Sequence, residues 1–153
     1  MRIDPAAFLV LNLSLAFYNV GTIWAHEIDI FRSWKLVDAE SFHTIQSAHW
    51  HKLPYWVFVP IGFALIGGVL LIWVHPANAP SWAIYGALAF QMLALILTIL
   101  LWGRWQARLA GDPLGSKSPY LHKILRTHWI RTLLISCYAA CLLVASITTL
   151  GGG

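Results

Sequence analysis

The fold class predicted here is an all-α membrane bundle of four spanning helices, with an interfacial helix between the first and second; three observations predict it. The 153 residues are 59% hydrophobic and only 10% charged, with a mean hydropathy of +0.68, which leaves too little polar surface for a water-solvated domain. Four apolar stretches reach the roughly 20 residues that cross a hydrocarbon layer about 30 Å thick at about 1.5 Å per residue. None shows the two-residue alternation and frequent turns of a membrane barrel, the other architecture that satisfies every backbone group in lipid. The chain reads as a single domain without internal repeats.

The first helix, about 6–28, is built on Ala6 to Ala25, a stretch free of Asp, Glu, Lys, Arg and His. Its lead-in, Met1-Arg2-Ile3-Asp4-Pro5, is not the basic start of a secretory signal, and the apolar run is longer than a signal core, so the segment is expected to be retained. Asn12, Asn19 and His26 are spaced by seven and form one stripe, with Ser14 and Thr22 as the helix's other polar members. Such a stripe should face protein rather than lipid, either in interhelical hydrogen bonds, with Gln91 as the obvious partner, or as the wall of a polar cavity.

Lys35 to Lys52 reads as the interfacial helix: Asp38 can cap it, and Phe42, Ile45, His49 and Leu53 recur at spacings of three or four. The second and third helices, about 54–74 and 81–105, are joined by His75-Pro76-Ala77-Asn78-Ala79-Pro80, a tight proline-bounded turn between antiparallel neighbours. Gly111 to Ser116 is a loop, after which Pro119 can start the helical run that enters the fourth span, about 128–150. Cys137 and Cys141 lie four apart inside that span and read as packing residues.

Orientation follows from the basic residues, which are retained on the cytoplasmic side near helix ends. Arg32, Lys35 and Lys52 lie between the first and second helices, and Arg104, Arg108, Lys117, Lys123, Arg126 and Arg131 between the third and fourth; Arg2 is the exception. Both termini are therefore expected outside. The pI near 9.3 then reports topology and contact with anionic lipid, not nucleic acid. Six of the seven histidines and Glu27, Asp29, Asp38, Glu40 and Asp112 share the cytoplasmic side, which is where chemistry is expected.

Helix ends assemble the candidate site there. His26-Glu27 closes the first helix, His49-Trp50-His51 precedes the second, and His122 and His128 approach the fourth. Imidazoles at one depth with a carboxylate beside them suit iron or copper, or a proton-transfer base, so His26, Glu27, His49 and His128 are the candidate metal donors. A bis-histidine haem, for which His26 and His128 would be the pair, ranks below. Interfacial or core histidines remain the alternative, since no His-Glu-x-x-His or other diagnostic ligand spacing is present. Most of the nine tryptophans sit near helix ends, as in an aromatic belt; Trp24, Trp50 and Trp129 would also suit a pocket for a flat aromatic or quinone-like ligand.

Gly21-x-x-Trp24, Phe42-x3-Gln46-x2-His49-x2-Lys52-Leu53 and His128-Trp129-Ile130-Arg131-Thr132 carry a resemblance to a family of small bacterial four-helix membrane proteins related in pattern to anthrone-oxygenase-like proteins, over roughly Gly21 to Leu143. The family pattern has histidine where this chain has Gln46, and asparagine where it has His128. The resemblance implies a multi-pass protein of the bacterial inner membrane whose cytoplasmic mouth is the functional end, with His49, Trp129, Arg131 and Thr132 as site-formers. It also implies oxidation of a phenolic or polyketide-like aromatic.

Two functions from different classes follow. An oxygenase or oxidoreductase would bind a flat hydrophobic substrate among Trp24, Trp50 and Trp129, with His49 or His128 as base or ligand and Arg131 stabilising an oxyanion; it requires a pocket of about 300 Å3 or more. The structural reading of Arg131 is that it snorkels to head groups. A non-catalytic accessory subunit, or a homo-oligomer, would instead use Gly62, Gly67, Gly68, Ala83, Gly86 and Ala87 for close helix contact, inside the bundle or across an interface. A small transporter is weaker, because no acid lies in the central part of any span.

Overall fold

The computed structural model describes residues 4–151; Arg2 and the terminal Gly152 and Gly153 lie outside them. The described residues are helical with no strand, and four helices are long and apolar enough to cross a membrane: α1 Pro5–Leu36, α2 Ala39–Val74, α3 Ser81–Ala110 and α4 Pro119–Gly151. Helix α1 starts where Asp4 accepts the Ala6 and Ala7 amides, with Pro5 in the first turn, where its missing N–H removes nothing. Asp38 accepts the Ser41 amide at 2.8 Å and starts α2 in the same way.

Ala39–Leu53 is not a separate helix. It runs directly into the apolar part of α2 through a π turn at Pro54–Phe58, because the wider π hydrogen-bonding pattern accommodates the N–H that proline lacks. Two more π turns occur at His26–Ile30 in α1 and Thr98–Trp102 in α3. The latter ends at Gly103, where a Cβ would lie 2.9 Å from the Thr98 carbonyl oxygen. All three lie toward the end of the bundle that carries Arg32, Lys35, Lys52 and Arg104, here called the basic end. At the opposite end, residues 75–80 form the expected turn, tied to α4 by the Asn78 amide donating to the Thr149 carbonyl at 3.0 Å.

Helix α4 packs most extensively, against α3 and α1, while α2 leans mainly on α1. The core away from the basic end is Leu9, Ala16, Leu71, Ala83, Ile84, Ala87, Tyr138, Ala139, Leu142 and Ala145. Outward faces are apolar, with Leu11, Phe17, Phe63, Ile66, Ile99, Leu133 and Ile147 exposed, as a lipid-facing surface requires. At the basic end a second core of Phe31, Trp34, Phe42, Leu109, Leu121 and Ile124 closes over the loop before α4. There the Ser118 hydroxyl donates to Asp112 at 2.6 Å and holds its carboxyl below the usual carboxylate range, and Gly115 takes a positive φ of 53° against Phe42, a conformation that favours glycine.

The small residues separate by use. Ala83 and Ala87 are buried; Gly67 and Gly68 face Asn12 and Gln91 inside the bundle, and Gly86 faces Cys141. Gly62 meets nothing within 4 Å. Gly67→Ala should therefore press its methyl onto the Asn12 amide and cost about 1–3 kcal/mol, whereas Gly62→Ala should be neutral or slightly stabilising through helix propensity. Unfolding midpoints in mild detergent check this; equal midpoints for the two variants would contradict the packing.

Candidate functional site

A hydrogen-bonded chain of four side chains crosses the basic end. Glu27 is buried at 8% exposure although the adjacent His26 is buried too, a pairing that the π turn permits by widening the helix at that point. Glu27 Oε1 accepts from Arg32 at 2.7 Å, and Oε2 from His128 Nδ1 at 2.9 Å. The other His128 nitrogen, Nε2, accepts from the Arg131 guanidinium. Because Arg131 can only donate, Nε2 carries the lone pair and Nδ1 the proton. His128 is fully buried, its ring edge-on to Phe31 at 4.7 Å and to Trp102 at 6.3 Å. Arg131 points inward, stacked over Trp102 at 5.4 Å, so it does not snorkel away from the bundle. Trp102 is itself pinned by its indole N–H donating to Thr127 at 3.0 Å.

Beside this chain lies a cavity of about 130 Å3 between α1, α2, α3 and α4, its walls including Asn19, His26, Trp50, Phe58, Gln91, Gln106, Arg131 and Ile135. A more open cavity of about 270 Å3 adjoins it between α1 and α2, with His49, Lys52 and Trp56 on its wall. Thr22, His26, Leu53 and Val57 line both. Neither cavity by itself reaches the roughly 300 Å3 or more expected of a substrate pocket.

Several polar atoms of the residues that line the first cavity are buried without a protein partner: Asn19 Oδ1, His26 Nε2, both amide atoms of Gln91, and Arg131 Nε. The polar stripe of α1 does face inward, but interhelical bonds to Gln91 do not form. Asn12 instead donates to the Phe8 carbonyl of its own helix at 2.8 Å. His26 Nδ1 lies 2.6 Å from the Thr22 carbonyl oxygen, which can only accept, so the neutral ring leaves Nε2 as an open acceptor. Leaving such groups unmatched in a protein interior costs about 1–3 kcal/mol each; Asn12 Oδ1, Gln46 Nε2, Tyr138 Oη and Ser146 Oγ, away from this cavity, are unmatched in the same way.

Six of the sequence-predicted residues fall into three sets. His26, Trp50 and Arg131 line the first cavity; His49 lines the second, with its ring 5.2 Å from that of His26; His128 and Glu27 sit behind Arg131. Trp24 and Trp129 do not join Trp50: both are on the outer surface, 46% and 54% exposed, and Trp24 donates to Ser136 on α4. The four proposed metal donors are not gathered around one point, and among the described residues no three or more His, Cys, Asp or Glu side chains are placed to hold an ion. Glu27 and His128 have their donor atoms engaged with each other and with arginines; only His26 Nε2 and His49 Nε2 remain unpartnered. His128 Nε2, the nitrogen that a haem opposite His26 would need, accepts from Arg131 in this arrangement. Arg32, Trp102 and Gln106 escaped the sequence reading, since each looks like an ordinary residue of a helix end.

Glu27→Ala and His128→Ala should each lower stability by about 3 kcal/mol by stranding a buried partner. The double variant should fall short of their sum by about 1 kcal/mol or more, because the two act on one network. Denaturant titration in mixed micelles measures both, and strictly additive losses would dissolve the network. Comparison of the chain with known protein families, curated proteins and solved structures finds no match.

Proposed function

We propose that this chain is a multi-pass protein of the bacterial inner membrane, its termini outside and Ala39–Leu53 at the cytoplasmic interface, and that it acts as an oxidoreductase on a flat hydrophobic phenolic substrate at its basic, cytoplasmic end. The observation that carries the reading is the cavity lined by both His26, whose Nδ1 faces the Thr22 carbonyl oxygen, and the inward-pointing Arg131, with apolar surface from Phe58, Leu65, Leu95 and Ile135. A phenolic ring seated there would pass its hydroxyl proton to His26, and Arg131 would hold the resulting phenolate; the electron-rich ring is then prepared for oxidation by dioxygen. Charge developing in a dry site is where a fixed cation contributes most. His128, oriented by Glu27 and Arg32, positions Arg131. His49, the family-like residue, lies on the neighbouring cavity, in line for proton exit from His26. Iron or copper, if used, would have His26 Nε2 and His49 Nε2 as its protein ligands.

A second reading, an accessory subunit or homo-oligomer, is favoured by the open α2 face around Gly62, where Val59, Phe63 and Ile66 are exposed and another membrane helix could pack.

Oxygen uptake by the purified protein in mild detergent, with alkylphenols and fused-ring phenols as substrates, tests the enzyme reading. Arg131→Met should lower kcat/KM by about 100-fold or more, the scale for losing an oxyanion donor, and His26→Gln by a similar factor. Unchanged uptake in both variants would move the assignment to the accessory role.

A further inference from the structure

Charge is divided unevenly across the basic end. The connection from α1 to α2 carries Glu27, Asp29, Asp38 and Glu40 against Arg32, Lys35 and Lys52, so acids and bases there nearly cancel. The connection from α3 to α4 carries Arg104, Arg108, Lys117, Lys123 and Arg126, all exposed, against Asp112 alone. Asp112 is engaged within its own loop, accepting from the Ser118 hydroxyl at 2.6 Å and from the Leu114 amide at 3.0 Å. Among the described residues the side-chain ion pairs all involve Glu27, so none of these five cations is paired with a carboxylate.

Two of them converge. The Arg108 guanidinium carbon and the Lys123 ammonium nitrogen each lie 5.7 Å from the centre of the Tyr120 ring. A ring face attracts an exposed cation only weakly and bears no net charge, so two like charges gathered around one tyrosine repel each other until an anion joins them. Their depth is that of lipid head groups. From Ser81 to Leu101, α3 carries no charge, a run of about 30 Å at about 1.5 Å per residue, which matches a hydrocarbon layer; Arg104 and Arg108 come in the two turns that follow. On the outward face of α4, Arg126, Trp129 and Leu133, all exposed, succeed one another at spacings of three and four. Cation, interfacial indole and apolar surface stand there in the order in which a lipid presents phosphate, glycerol and acyl chain.

We infer that Arg108, Tyr120 and Lys123 form a headgroup site for an anionic phospholipid on the α3–α4 side of the bundle, the lipid phosphate lying against the two cations and its acyl chains along the apolar faces below Arg104 and Arg126. Arginine and lysine only donate and phosphate oxygens only accept, so the lipid supplies the acceptors that no protein carboxylate does. The α1–α2 side, where acids offset bases, has no equivalent. The inference rests on the membrane placement of the basic end and is independent of the phenolic reading, since none of these residues lines either cavity.

Native mass spectrometry of the purified protein in mixed micelles measures lipid bound per chain as phosphatidylglycerol or phosphatidylcholine is titrated in. Phosphatidylglycerol should bind at least tenfold tighter. Lys123→Gln should weaken it about fivefold, the scale for one basic residue at an anionic surface, and Lys123→Gln combined with Arg108→Gln about tenfold or more. Lys35→Gln, which removes the same charge from the α1–α2 side, should change it less than twofold; all three side chains are exposed, so the fold does not depend on them. Equal affinity for the two lipids overturns the inference and leaves the patch to an acidic protein partner. Equal losses in Lys123→Gln and Lys35→Gln overturn it in favour of diffuse surface charge, and displacement of bound phosphatidylglycerol by inorganic phosphate at equal concentration overturns it in favour of a free-phosphate site. Flotation with reconstituted phosphatidylcholine vesicles separates the two kinds of failure. A protein that does not incorporate refutes the membrane reading; one that incorporates without preferring phosphatidylglycerol refutes the headgroup site alone.

Discussion

Glu27 is carried into the bundle by the π turn at His26–Ile30, and its charge there must be matched, because ions in a low-dielectric interior are stable only when paired and fully hydrogen-bonded. The rest of the basic end follows from that constraint. Arg32 matches one carboxylate oxygen from the surface side, with its own side chain 54% exposed; His128 matches the other from α4, and in doing so offers its second nitrogen to Arg131. A carboxylate on α1 thereby fixes the tautomer of a histidine and the direction of an arginine on α4. The aromatic shell of Phe31, Trp34 and Trp102 packs edge-on around the imidazoles.

The cavity beside that network is a product of helix irregularity. Residues of all three π turns, or those next to them, line it: His26, Val57, Phe58, Thr98 and Gly103. A π turn inserts one extra residue and so displaces the side chains that follow from the register of a continuous α-helix. Three such displacements at similar depth leave the helices less closely packed there than in the Leu9–Tyr138–Leu142 core, where alanines on α1, α3 and α4 allow tight approach. Asn19, His26, Gln91 and Arg131, each with a polar atom left without a protein partner, line the same gap, while Asn12, Tyr138 and Ser146 carry such atoms away from it.

Much of this was open to reading from residues. Charge-free runs of about 20 located the spans, Asp4, Asp38 and Pro119 marked helix starts, and the seven-residue spacing of Asn12, Asn19 and His26 placed them on one inward face. Gathering histidines at the basic end was also correct as a statement of depth. Which histidine would touch which partner was not legible, because spacing along a helix gives the face but not the neighbour across the bundle. The tryptophans show the same boundary: Trp24, Trp50 and Trp129 look alike as helix-end aromatics, yet only Trp50 turns toward the cavity.

Composition and hydrophobic run length by themselves determined that this is a four-helix all-α chain suited to a membrane, since an apolar segment of that length has no other way to satisfy its backbone in lipid. The tertiary structure alone decided that Ala39–Leu53 continues into α2, that Gly67 and Gly68 serve the bundle interior while Gly62 does not, and that Glu27, His128 and Arg131 form one chain beside a cavity. Each of these depends on contacts between helices far apart in sequence and on π turns of which only the one at Pro54 has a local signature. Local pattern sets what a segment is; the rotation of each helix against its neighbours sets what its side chains do.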